Sequence, residues 1–327
     1  MRFKPTKLAI AASLAMSALT AVTAYAQTKW DMPTPYPDTN FHTKNVKQFT
    51  EEVAGLTKGA LQITVHSNGS LIKHPDIKRA VQTGQVPIGE LLVSVQANES
   101  PLYAFDSNPF FAANYDAARK LWTAAKPALE KRLNSQGLTL LYSVPWQPQG
   151  IYTKKPIESI ADLKGAKFRT YSPTTSRFAE LMGAIPTTVQ VPEVPQAFRT
   201  GMVDAMITAA TTGVDTQAWD YLTHYYDVQA MLPHNMVIVN TGALKKLDPA
   251  VRDRVMKAAA EAEERGWKIS VAENDRMVKL MADKGIKITK PSEKLRAELT
   301  AIGEKMAAEW IAKAGADGAA IAAAYRK

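Results

Sequence analysis

The chain has 327 residues, of which 46% are hydrophobic and 22% charged, and its formal net charge is +9. This length suits two domains of ordinary size, each with enough apolar residues for a core of its own. The lack of cysteine excludes disulfides and thiolate chemistry, and the scattering of basic residues among acidic ones argues against a nucleic-acid-binding protein.

The first 26 residues have the pattern of a secretory signal peptide. Three basic residues among the first seven precede an uncharged, Ala-rich run, and small residues stand before Gln27. We expect cleavage after Ala26 and export to the periplasm. An uncleaved membrane anchor is the alternative, but the run is only weakly hydrophobic. Cleavage leaves 301 residues and lowers the net charge by three, to +6.

Strands and helices alternate from residue 28 onward. A short strand and a loop precede an amphipathic helix that begins near Asn40, and "ALQITVHSNG" then alternates as a strand does. The next elements are a short helix in "HPDIKRAVQTGQ", a buried strand in "VPIGELLVS", a long helix closed by Gly137 and the strand "LTLLYSVP". This order predicts an α/β fold with mixed or parallel strands.

The alternation resumes after residue 149 and ends in long helices. Strands are predicted in "QGIYTKKPI", "AKFRTY", "IPTTVQV" and "MVDAMITA", with helices in "PTTSRFAELMG" and "PEVPQAFRTG". Residues 248–285 form one very long helix or two abutting ones, begun by Pro249. Because their apolar spacing is not a sustained heptad, we expect a monomer, with a coiled-coil dimer as the alternative. A strand, a helix from 293 to about 314 and a short Ala-rich tail helix complete the chain.

Motifs for common enzyme chemistries are missing from the sequence. It has no G-x-G-x-x-G, no complete phosphate loop, no G-x-S-x-G and no H-E-x-x-H. The histidines lack zinc-like spacing and are predicted to be surface or hydrogen-bonding residues: His42, His66, His74, His224 and His234. We therefore expect a binding protein without metal or cofactor rather than an enzyme.

One stretch resembles a known family, the DctP-like periplasmic solute-binding proteins (extracytoplasmic solute receptors) of tripartite ATP-independent periplasmic (TRAP) transporters. The stretch is "ADLKGAKFRTYSPTTSRFAELMGAIPTTVQVPEVPQAFRTGMVDAMI". The matching positions are Asp162, Leu163, Lys164, Gly165, Lys167 and Arg169, then Gly183 and Pro186, and then Ala197, Gly201 and Asp204. The likeness extends more loosely over most of the mature chain.

The resemblance implies a two-lobed α/β fold of the periplasmic-binding-protein kind, with a ligand cleft between the lobes and a long helix spanning both. Lobe I would comprise residues 27–146 and 235–274, and lobe II residues 147–234 and 275–327. In that family the arginine matching Arg169 forms a two-pronged salt bridge with the ligand's carboxylate. A guanidinium is a rigid fork that matches a carboxylate, which supports this role on physical grounds.

Other cleft residues are expected by position within the same resemblance. Trp146 and Gln149 lie in the crossover between lobes, although Trp146 is equally suited to the interlobe core. Thr208 stands where many relatives have an asparagine that assists the arginine, which argues against sialic acid and the best-known dicarboxylates as ligands. The remaining candidates are Asn235, at the return to the first lobe, and Tyr36, Asn40, Ser94 and Gln96 in the first lobe.

The expected function is capture of a small organic carboxylate by hinge closure and its delivery to the TRAP membrane permease subunits. The aromatic residues near the cleft favour an aromatic, keto or hydroxy monocarboxylate, with sugar acids as the alternative. Two other classes of protein remain open: the binding protein of an ATP-driven importer or sensor, and an exported enzyme that acts on carboxylates.

Overall fold

A computed structural model describes residues 27–327 of the protein. The predicted signal peptide and its cleavage site lie outside the described residues. Eleven strands are assigned in this part of the chain: β1 Thr28–Pro33, β2 Leu61–His66, β3 Ile88–Leu92, β4 Leu138–Pro145, β5 Gly150–Thr153, β6 Lys167–Thr170, β7 Ile185–Thr188, β8 Ala205–Thr208, β9 His224–Tyr226, β10 His234–Asn240 and β11 Lys287–Thr289.

Nine α-helices connect and cover these strands within the same residues. They are α1 Phe41–Leu56, α2 Ile77–Gln82, α3 Tyr115–Asn134, α4 Pro173–Leu181, α5 Val194–Arg199, α6 Ala210–Asp215, α7 Thr241–Lys246, α8 Pro249–Asp283 and α9 Glu293–Arg326. The predicted α/β class is confirmed. None of the helices in residues 27–327 has the length and apolar character needed to cross a membrane.

The strands form two separate groups of sheets, one in each lobe. In the first lobe β1 pairs in parallel with β2, and β10 lies antiparallel between β3 and β4. The second lobe has a six-stranded mixed sheet in the order β11-β9-β5-β8-β6-β7. The chain passes from one group to the other between β4 and β5 and returns between β9 and β10, so these two crossovers border both lobes.

The helix α8 runs along both lobes. Asp248 caps its first turn by accepting from the Ala250 N–H at 2.8 Å, and Pro249 occupies the first helical position. The helix contacts α1 and β4 in the first lobe and α6 and β11 in the second. Gly266 permits the close approach to β4, because a Cβ there would lie 2.3 Å from Val144. The prediction of one very long helix is confirmed.

The C-terminal helix α9 also contacts both lobes, and it bends at Gly315. Gly315 has φ 60° and ψ −134°, a conformation that breaks the helix where the sequence predicted a boundary. All of 275–327 is predicted from the resemblance to belong to the second lobe. The side chains of Trp310 and Ile321, however, pack into the core of the first lobe, and the Tyr325 hydroxyl donates to the Phe111 carbonyl at 2.8 Å. The tail after Gly315 thus contacts first-lobe residues, and the division of the chain into lobes stays a prediction.

Candidate ligand-binding cleft

A small cavity lies between the two lobes. Part of its wall comes from the carboxyl ends of the neighbouring strands β6, β7 and β8, the edge at which parallel sheets bind ligands. The opposite wall comes from first-lobe loops. The lining residues are Tyr36, His74, Leu92, Trp146, Gln149, Arg169, Tyr171, Gln190, Val191, Thr208, Thr212 and Pro233.

Arg169, on β6, is the charged residue of this wall. Its side chain is 1% exposed, and its Nε donates to the Val189 carbonyl at 2.9 Å. The terminal nitrogens Nη1 and Nη2 are buried and have no hydrogen-bond partner among residues 27–327. Burial lowers the pKa of Arg169 to about 10, so the guanidinium stays charged at neutral pH. The two terminal nitrogens of the charged guanidinium therefore have no acceptor within the described part of the chain.

Two aromatic side chains form the wall near the crossover, and both are tied to Asn235. The Trp146 indole N–H donates to Asn235 Oδ1 at 2.9 Å, and the Tyr36 hydroxyl donates to the same oxygen at 3.1 Å. The two rings meet edge to face, with centroids 5.0 Å apart. Asn235 lies directly behind the wall and orients both rings.

A buried carboxyl group, Glu90 on β3, lies behind Asn235. Asn235 Nδ2 donates to Glu90 Oε1 at 3.1 Å, and the Thr34 hydroxyl donates to the other carboxyl oxygen. His42 Nδ1 is 3.6 Å from Oε1. Burial raises the pKa of Glu90 to about 7, so this carboxyl group is only partly charged at neutral pH, and burial lowers the pKa of His42 well below its usual range, which keeps the ring neutral.

A hydrogen bond joins the lobes at the edge of the cavity. The Leu92 backbone N–H donates to His74 Nε2 at 3.0 Å, so the ring proton is on Nδ1, which donates to Gln190 Oε1 at 2.9 Å. His74 belongs to the first lobe, and Gln190 follows β7 in the second. Burial lowers the pKa of His74 to about 4, which keeps the ring neutral.

Five of the nine predicted cleft residues lie together on the cavity wall: Tyr36, Trp146, Gln149, Arg169 and Thr208. Gln149 is held by the Tyr171 hydroxyl, which donates to its Oε1 at 3.3 Å, and it donates to the Gln147 carbonyl at 3.1 Å. Thr208 ends β8 beside them. Ligand contact by each of these residues stays a prediction.

The other four predicted residues are not on the wall. Asn235 is one layer behind it. Asn40 bonds across the lobes instead, because its Nδ2 donates to Asp215 Oδ2 at 2.7 Å. Ser94 is buried in the short turn after β3, and Gln96 Nε2 donates to the Pro75 carbonyl at 3.4 Å.

Several wall residues were not predicted as site residues, above all His74 and Gln190. Gln190 had a usable signal, because it follows β7 at the same sheet edge at which Tyr171 follows β6. His74 had none, since its role depends on a backbone N–H that lies 18 residues away.

Comparisons with known proteins agree on one family. The family model described as bacterial extracellular solute-binding protein, family 7 (DctP) matches residues 34–314. The crystal structure of DctP7 of Bordetella pertussis, an extracytoplasmic solute receptor binding pyroglutamic acid, is 51% identical, with a TM-score of 0.91 over 92% of this chain and 100% of that chain.

Two further relatives extend the comparison. A marine metagenome TRAP solute-binding protein specific for pyroglutamate, solved with co-purified pyroglutamate, is 42% identical, with a TM-score of 0.90 over 92% of this chain and 99% of that chain. The C4-dicarboxylate-binding periplasmic protein DctP of Rhodobacter capsulatus is 29% identical over 80% of this chain and 79% of its own length.

Proposed function

Because the chain belongs to the DctP family, family 7 of the bacterial extracellular solute-binding proteins, we propose that it binds pyroglutamate and delivers it to a TRAP membrane permease. The chain is a TRAP solute receptor whose ligand is a small organic carboxylate. Pyroglutamate is a five-membered lactam that carries its carboxylate next to the ring nitrogen. It is a monocarboxylate, as expected, although a lactam was not among the ligands expected from the sequence.

The observation that carries the proposal is the unpaired guanidinium of Arg169. A buried charge without a partner costs several kcal/mol, so its persistence favours a ligand that supplies the opposite charge. The two free nitrogens suit the two oxygens of one carboxylate. One arginine matches one carboxylate, which favours a monocarboxylate over a dicarboxylate.

The rest of the wall supports a compact, partly apolar ligand. Trp146, Tyr36, Tyr171 and Leu92 provide flat or apolar surfaces beside Arg169. The enclosed space between these residues is small, which favours a single small ring over a large sugar acid. The ligand named for two solved relatives that are 51% and 42% identical to this chain is of this kind.

The mechanism that we propose is hinge closure. The ligand binds Arg169 in the second lobe and contacts the first lobe, and the added contacts favour the closed arrangement. The bond between His74 and Gln190 and the bonds of Asp215 with Thr39 and Asn40 then join the lobes at two places. We also propose export to the periplasm with cleavage after Ala26.

Isothermal titration calorimetry with the ligand-free protein tests the proposal. We expect L-pyroglutamate to bind more tightly than succinate, a 2-oxo acid or glucuronate. Arg169→Ala should lose about 2–5 kcal/mol of binding free energy because the carboxylate loses its partner. Arg199→Ala, a change at an exposed arginine of the same lobe, should bind as the wild type does. Unchanged binding by Arg169→Ala, or preference for another acid, would contradict the proposal.

The chain is a member of a family of solute receptors, and we propose that it releases its ligand chemically unchanged. After prolonged incubation with the protein, mass spectrometry and chiral chromatography should recover L-pyroglutamate in full. Ring-opened glutamate or a racemic product would instead indicate an enzyme.

A further inference from the structure

Side chains behind the cavity wall fix the hydrogen-bonding role that each wall residue can have toward a ligand. This matters because a donor facing a donor, or an acceptor facing an acceptor, excludes a ligand as effectively as a steric clash does. Recognition of the ring amide of pyroglutamate, which rests on the proposed function, depends on these fixed roles.

Tyr36 can only accept a hydrogen bond from the cavity. The Trp146 indole is a donor and never an acceptor, so the Asn235 atom that it contacts at 2.9 Å is the amide oxygen. Tyr36 therefore donates its single hydroxyl proton to that oxygen, at a distance of 3.1 Å. Burial raises the pKa of Tyr36, so the phenol keeps this proton. Only its lone pairs remain for a ligand.

Tyr36 is also the polar group through which the first lobe can contact a ligand. The first-lobe wall consists of Tyr36, His74, Leu92 and Trp146. Both ring nitrogens of His74 are engaged, by Leu92 N–H and by Gln190, and the indole N–H of Trp146 is held by Asn235. A ligand that bridges the lobes must therefore offer a donor to Tyr36.

Gln190, in the second lobe, has the opposite polarity. Its Oε1 accepts the Nδ1 proton of His74, so its amide nitrogen, with two N–H groups, is the end left for the cavity. Besides the hydroxyls of Tyr171, Thr208 and Thr212 and the amide of Gln149, the wall thus offers the charged donors of Arg169, the acceptor of Tyr36 and the neutral donor of Gln190. A lactam acid carries the complementary set: a carboxylate, an N–H and a carbonyl.

We infer that Tyr36 determines specificity by accepting the ring N–H of the ligand, while Gln190 donates to the ring carbonyl. Asn235 acts as a positioning residue that holds Tyr36 in its accepting role. The carboxylates excluded by this arrangement are those that lack a neutral donor, such as lactones and simple 2-oxo acids.

The test compares two ligands that differ at one ring atom. L-Pyroglutamate and (S)-5-oxotetrahydrofuran-2-carboxylate share the carboxylate and the ring carbonyl, but the second has an oxygen in place of the N–H. We expect the wild type to prefer the lactam by roughly tenfold or more, the size typical of one buried hydrogen bond. Tyr36→Phe should remove most of this preference by weakening the lactam alone.

Three further variants complete the test. Tyr103→Phe, which removes a hydroxyl bonded to Gln136 outside the cavity, should leave both affinities unchanged. Gln190→Leu should weaken both ligands by a similar factor, because both carry the ring carbonyl. Tyr171→Phe should keep the preference, and loss of the preference there but not in Tyr36→Phe would overturn the assignment.

The outcomes separate this inference from the proposed function. If the wild type binds neither ligand, the proposed function fails and the lactam assignment with it. If the wild type binds pyroglutamate but Tyr36→Phe keeps the preference, or weakens both ligands equally, only the role of Tyr36 is overturned.

Discussion

The Glu90 carboxyl group is buried, and its basic neighbour His42 is itself kept neutral by burial. Glu90 holds the Nδ2 of Asn235, and through Asn235 it orients Tyr36 and Trp146. Its neutral form is favoured because burial penalises the charge more than its hydrogen bonds stabilise it. A residue with no access to the cleft thereby affects the geometry of the binding wall.

This burial predicts a pH dependence of stability. Because the folded-state pKa of Glu90 lies at about 7, above its usual 4.5, the folded protein binds more protons than the unfolded chain between these values. The contribution of Glu90 to the free energy of unfolding should therefore fall as pH rises through this window, by about 3 kcal/mol at most. Urea denaturation of wild type and Glu90→Gln from pH 4 to pH 8 measures it.

The difference between the pH profiles of wild type and Glu90→Gln removes the contribution of the other titrating groups. His42 and His74 have lowered pKa values and act in the opposite direction, but they are present in both proteins and cancel in the difference. Parallel pH profiles for the two proteins would mean that Glu90 remains charged when folded.

At the scale of single residues, the sequence predicted the wall better than the layer behind it. Arg169 and Thr208 lie at strand ends and Trp146 and Gln149 in the crossover, where the family resemblance implied the cleft, and all four are on the wall. Asn235 and Asn40 were chosen by the same reasoning, yet they bond to protein side chains instead. The partners of Asn235 and Asn40 lie 145 and 175 residues away in the chain, and the local sequence carries no information about such contacts.

Among the elements, the start of α1 has two roles. Asn40 Oδ1 accepts from the His42 N–H at 2.9 Å and caps the helix, while its Nδ2 donates to Asp215 at the end of α6. Thr39 donates to the other oxygen of Asp215 at 2.8 Å. A helix cap in the first lobe is thus also a contact that joins the lobes.

Asn40→Asp should separate these two roles. Aspartate caps a helix as well as asparagine does, so the stability of the ligand-free protein should change little. In the closed form the new carboxylate would face Asp215 at a buried position, and ligand affinity should fall by roughly tenfold or more, because a like-charge contact costs more there than at the surface. Calorimetry with the ligand and thermal unfolding without it measure the two effects.

A second substitution checks the cause. In Asn40→Asp combined with Asp215→Asn, the amide and the carboxylate exchange places, and ligand affinity should return toward that of the wild type. Failure of this rescue, or equal loss of stability with and without ligand, would show that Asn40 acts only as a cap.

The long elements could be predicted from the sequence because their signals are local. Pro249 predicted the start of α8, and the apolar stripe predicted its course. Gly315 lies where the boundary between the C-terminal helix and the tail helix was predicted. Where the tail then packs depends on the tertiary contacts of Trp310 and Ile321, which the local sequence does not determine.

Seen as a whole, the molecule combines two lobes of different architecture. The first has a parallel strand pair and a three-stranded antiparallel sheet, and the second a six-stranded mixed sheet. The strand and helix order predicted an α/β fold, but a two-lobed arrangement rested on the family resemblance. Strand neighbours such as β5 and β8 are separated by more than 50 residues, and composition and periodicity carry no information about such pairings.

The unpaired guanidinium of Arg169 has a practical consequence for handling the protein. In the proposed function the cleft closes around Arg169 and a carboxylate, so we expect protein purified from cells to carry a small acid. Dialysis removes such a bound acid slowly, because the acid dissociates only when the lobes open. Refolding from denaturant in a buffer without small carboxylates removes such an acid, and titrations of protein prepared otherwise report a competition between two acids.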